Sequence, residues 1–95
     1  MQSDVTVTAE RIGAYRLELL ARERSRGTVE QYGRAVNHLA AYLGERPLSG
    51  ELLLGWKGQL LESRSIATVN AMIAAVNGFL DFCGLPGLKL KSLRC

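Results

Sequence analysis

The chain reads as an all-α protein of one domain. Three observations predict this: apolar residues recur at helical spacing four times, no alternating strand pattern of any length appears, and each helical stretch is bounded by hydroxyl, glycine or proline residues. Ninety-five residues suit a single domain, and with 47% of them hydrophobic there is enough to bury one core. A charged fraction of 22% is ordinary for a folded protein and argues against disorder.

The first helix is expected over about 8–24, with Ile12, Tyr15 and Leu19 on one face and Leu20 widening it. Thr8 is its N-cap candidate and Glu10 favours the first turn. The second, over 28–43, opens on Thr28-Val29-Glu30-Gln31, which has the grammar of a capping box with Thr28 as cap. Val29, Tyr32, Val36, Leu39 and Leu43 form its stripe, and Gly44 stands where a left-handed C-cap belongs. Ser49 caps a third helix to about residue 62, with Leu53, Trp56 and Leu60 inward. Gly55 and Gly58 each cost that helix about 1 kcal/mol relative to Ala, so it must lean on tertiary packing. After the Ser63-Arg64-Ser65 break, a fourth helix over 66–83 turns Val69, Met72, Ile73, Val76 and Leu80 inward, until Gly84 and Pro86 end it. The buried set is expected to be Val29, Tyr32, Val36, Leu39, Trp56, Leu60, Val69, Ile73, Val76 and Leu80. Residues 1–84 thus form the domain, and 85–95 read as a truncated linker.

Net charge is +3, a mild excess that by itself implies no nucleic-acid partner. Its distribution is uneven: from Pro86 onward there are Lys89, Lys91 and Arg94 and no acid. The two cysteines, Cys83 and Cys95, are far apart and have no second histidine nearby, so neither a zinc site nor a disulfide framework is indicated. His38 is the sole histidine, placed mid-helix beside Asn37, and is expected to be a polar surface residue. No nucleophile, base and orienting carboxylate fall together, and no phosphate-cradling loop is present. No catalytic residue, cofactor or metal is therefore expected, and the chain is not read as an enzyme. No apolar run reaches the roughly 18 residues of a membrane helix, and no leader opens the chain, so a cytoplasmic location is the expectation.

Two blocks suggest a family. The first is Ser25-Arg26-Gly27-Thr28-Val29-Glu30-Gln31-Tyr32-Gly33-Arg34, followed by the stripe to Leu43. The second is Ser65-Ile66-Ala67-Thr68-Val69-Asn70, continuing through Asn77 to the aromatic finish Phe79-Leu80-Asp81-Phe82. In order and separation they resemble the N-terminal core-binding domain of tyrosine recombinases (phage-type integrases), which pairs an S-x-x-T-x-x-x-Y helix start with a later S-x-x-T-(V/I)-N start. Leu88-Lys89-Leu90-Lys91 is similar to the linker that leads to that family's catalytic domain. The resemblance covers about residues 8–93.

It implies an orthogonal four-helix bundle of the SAM-like kind that positions a recombinase on a double-stranded DNA half-site. The strand-cleaving residues would lie in a separate domain, and neighbouring protomers would meet through this one. Helix N-termini favour phosphate, because their N–H groups are unpaired and the dipole is positive there. On that basis Thr28, Ser65 and Thr68 would position the backbone, with Arg26 and Arg64 pairing to phosphates. Gln31 and Arg34, off the apolar stripe, would reach base edges, as would Asn70 and Asn77 on an outward face lined by alanines. Lys89 and Lys91 would track phosphate along the linker.

Two rival readings remain. A helical protein–protein interaction module without DNA binding is favoured by the low net charge and by spare apolar residues such as Leu17 and Leu54. A small helix-turn-helix regulator would need a short recognition helix and a tight turn. The long helices and the Glu45–Leu48 loop argue against it.

Overall fold

Every α-helix begins at a hydroxyl side chain on extended backbone, and this sets the frame of the molecule. The computed structural model describes residues 3–93. Its helices are α1 (Ala9–Ala21), α2 (Arg26–Leu43), α3 (Gly50–Ser63) and α4 (Ile66–Phe82), followed by a 3₁₀ turn at Pro86–Leu88. The caps are Thr8, Ser25, Ser49 and Ser65, whose side-chain oxygens accept from the N–H groups of Arg11, Thr28, Leu52 and Thr68. Each cap satisfies a donor that the helix itself leaves unpaired. The second helix therefore starts earlier than the sequence suggests. Ser25, not Thr28, is the cap, and Thr28 is the residue whose N–H is capped.

The first helix ends three residues short of expectation. Glu23 adopts φ 61, and the Arg24 N–H turns back to the Leu19 carbonyl at 3.1 Å. Gly44 closes α2 with φ 63, a left-handed conformation that glycine adopts without strain.

The protein is an all-helical bundle, with no strand of two or more residues among those described. The central pair is α2 and α4; α1 rests mainly on α2, and α3 on α4. Nine of the ten expected core residues are buried. Tyr32 is the exception, half-buried at the edge of the core. Phe79, Leu48, Leu88 and Leu90 join the core beyond the expected set, while Leu20 faces solvent. Close helix approach is visible at Gly78, where a Cβ would overlap the Tyr15 hydroxyl. That hydroxyl donates to the Ala75 carbonyl at 3.1 Å, joining α1 to α4.

Both termini of the described chain are tied down. Ser3 donates its N–H to the Leu48 carbonyl at 3.0 Å, and the Leu48 N–H donates to the Val5 carbonyl at 2.7 Å. At the other end are residues 85–93, the described part of the segment read as a linker. They fold back along α4, burying Leu88 and Leu90. Asn77 brackets the Leu90 backbone, donating to its carbonyl and accepting from its N–H, each at 2.8 Å. Asn70 does the same to Leu93 at 2.8 and 2.7 Å. The spacings explain the fit. Seven residues of helix rise about 10.5 Å, and three residues of polyproline-II-like chain advance about 9 Å and return to the same facing. Lys89, at φ −57 and ψ 142, has that conformation.

A cationic groove between the second and fourth helices

The N-terminal blocks of α2 and α4 fold alike. Ser25 Oγ accepts from the Thr28 N–H at 3.2 Å, and its hydroxyl donates to Thr28 Oγ1 at 2.9 Å. Ser65 and Thr68 repeat this at 3.2 and 3.0 Å. The S-x-x-T spacing is the cause: in the first helical turn, the residue three after the cap brings both its N–H and its side chain over the cap.

A groove of about 610 Å³ runs between the two helices. Gln31 and Arg34 enter it from α2, and Thr68 from α4, with Arg64 at the α3–α4 junction. Ala35, Ala67 and Ala71 keep its walls low. No carboxylate lines it. Among the described residues the ion pairs are Arg22–Glu18 at 3.1 Å and Lys89–Asp81 at 2.6 Å, so neither groove arginine is neutralised by a partner. Arg34 Nε reaches the Glu30 carbonyl only at 3.5 Å, and Arg64 Nη1 reaches Ser63 Oγ at 3.3 Å. Both side chains are exposed.

The other sequence-predicted residues lie elsewhere. Arg26 is exposed on a separate shallow depression of about 290 Å³ beside Arg16 and Glu30. Asn70 and Asn77 are half-buried, and their amides are spent on the tail backbone, so they do not form the outward reading face expected of them. The physical reason is that a side-chain amide matches a peptide group donor for acceptor. Lys89 pairs with Asp81, and Lys91 is exposed, its carbonyl accepting from Lys57 Nζ at 2.7 Å.

His38 is not the plain surface residue that its lone mid-helix position suggests. It is half-buried in the groove wall, and its Nδ1 accepts from the indole N–H of fully buried Trp56 at 3.0 Å. Burial, reinforced by the Arg64 charge, holds its pKa below the ordinary 6.5. A buried indole needs an acceptor, which was the available signal, but nothing local in the sequence points from Trp56 to a residue eighteen positions earlier. Among the described residues no group of three His, Cys, Asp or Glu side chains gathers to hold a metal. No described helix is long and apolar enough to cross a membrane. Compared with known proteins, the chain matches no family model, no curated protein and no solved structure.

Proposed function

We propose that this chain is a DNA-binding module of the tyrosine-recombinase core-binding kind, an orthogonal SAM-like bundle that grips one face of a double-stranded half-site. The observation that carries the reading is the α2–α4 groove, which gathers Gln31, Arg34, Arg64 and Thr68 with two unpaired guanidinium groups and no acid. Those four residues belong to, or directly adjoin, the two sequence blocks that resemble the family. Low alanine walls let a duplex approach closely. Guanidinium forks suit phosphate oxygens and guanine edges alike. Phosphate contacts would supply most of the affinity, and groove contacts and DNA shape the selectivity. The reading assigns positioning to this chain and strand chemistry to a separate domain, with neighbouring protomers meeting around the DNA.

A salt series tests it. A fluorescent duplex should bind at about 10⁻⁴–10⁻⁶ M near physiological salt, with a log–log slope of about −2 to −4, since few cations are available. Arg34→Ala with Arg64→Ala should weaken binding to every sequence and flatten the slope by about two charges. Unchanged binding in a folded double variant would refute the placement.

The competing reading, a protein–protein interaction module, is favoured by Leu17 and Leu54, which are 68% and 62% exposed. It predicts no salt-sensitive binding to DNA.

A further inference from the structure

The chain's one histidine stands where the buried core meets the groove. An indole N–H can only donate, so the His38 nitrogen facing it must carry a lone pair. In the neutral ring the proton is then on Nε2, at the far side from Trp56. No described residue accepts from Nε2. The ring itself is held in place, bonded to Trp56 and lying 6.2 Å from it between ring centroids.

We propose that His38 is a fixed, uncharged hydrogen-bond donor of the groove, presenting Nε2–H to an acceptor atom of bound DNA, with Trp56 as the positioning residue that sets its tautomer. The proposal rests on the DNA reading above. It assigns the groove two kinds of donor. Arg34 and Arg64 are exposed charges that respond to salt, whereas His38 is a neutral donor already held by Trp56 that loses little freedom on binding and displaces no counterion. The depressed pKa agrees with this, since neighbouring Arg64 and burial both oppose a second proton. The acceptor is either a phosphate oxygen or a base-edge atom such as a purine N7, and both offer the same lone-pair chemistry.

The test uses the full 95-residue chain labelled with nitrogen-15. Long-range imidazole correlation spectra at neutral pH should show an unprotonated Nδ1 and a protonated Nε2. Addition of short duplexes of all-A·T or all-G·C sequence should shift the Nε2–H resonance in proportion to saturation. His38→Ala should lower affinity about five- to tenfold, the worth of one hydrogen bond, while leaving the salt slope as it was. A loss that is equal on both duplexes and persists when every purine is replaced by its 7-deaza analogue identifies a phosphate oxygen; a loss confined to one duplex, or abolished by 7-deaza substitution, identifies a base edge. Because the alanine variant also strips Trp56 of its acceptor, the wild-type spectra decide the matter if that variant does not fold. A protonated Nδ1 in the free protein overturns the proposal. So does an unmoved Nε2–H resonance while Arg34→Ala with Arg64→Ala weakens binding, and in that case the DNA reading survives alone. No binding of either duplex by the wild-type chain sinks both.

Discussion

Gly78→Ala ought to stabilise a helix interior, by about 1 kcal/mol on propensity, yet here it should destabilise the protein. A Cβ at position 78 would overlap the Tyr15 hydroxyl oxygen. The hydroxyl cannot simply move aside. It donates to the Ala75 carbonyl at 3.1 Å, and its ring is wedged between Phe79 and Phe82, with centroids 5.4 and 5.6 Å away. Overpacking of this sort costs about 1–3 kcal/mol, and losing the buried hydrogen bond adds about 1 kcal/mol. Set against the propensity gain, the net loss should be about 2 kcal/mol. For a domain of this size that is roughly 8–16 °C in Tm. The decisive comparison is the same substitution in a Tyr15→Phe background. Removing the hydroxyl should itself cost about 1 kcal/mol, but it clears the space. The nearest remaining ring atom, Tyr15 Cζ, would lie 3.6 Å from the new Cβ, an ordinary contact. There Gly78→Ala should stabilise by about 0.5–1 kcal/mol. Urea unfolding followed by far-UV circular dichroism on the four proteins measures the cycle. If Gly78→Ala has the same sign in both backgrounds, the α1–α4 contact is not limited by that hydroxyl and the argument fails.

Three further outcomes follow from the same structure. His38 is neutral when folded, with its pKa held below 6.5 by burial first and Arg64 second, so its contribution to stability is complete above about pH 6.5. That contribution is lost as pH falls below 6.5 towards the lower folded value, because the unfolded chain takes the proton first. Chemical unfolding between neutral and mildly acidic pH should show the decline in the wild type, and His38→Gln should remove it. Asn77→Ala should cost about 1–2 kcal/mol, for two part-buried hydrogen bonds. It should speed hydrogen exchange at Leu90 while leaving the α2–α4 core protected, whereas a tail that merely linked domains would show neither effect. Ser65→Ala should cost about 1 kcal/mol and Thr68→Val only a few tenths, in equilibrium unfolding, since the serine accepts the orphan N–H and the threonine hydroxyl makes only an exposed contact.

How much of the site could be read in advance differs from residue to residue. Thr68 stands at a motif position, Arg64 just upstream of its block, and Gln31 and Arg34 off the apolar stripe, and all four line one groove. Arg26 has the same sequence credentials as Arg64 but points to another depression. Asn70 and Asn77 looked free because helical periodicity reports only which face avoids the core. It says nothing of a later segment that covers that face.

By itself the sequence determined the four helices and nearly all of their buried face, because apolar spacing, hydroxyl caps and glycine stops act within one or two turns of the chain. Tertiary structure alone decided what meets across helices: Trp56 with His38, Tyr15 with Gly78, and the tail with α4. Leu88-Lys89-Leu90-Lys91 reads in the sequence as part of a linker, yet in the fold its two leucines are buried. Its docking site could not be read, because pairing Asn77 with Leu90 and Asn70 with Leu93 depends on matching the rise of a helix to that of an extended chain in three dimensions.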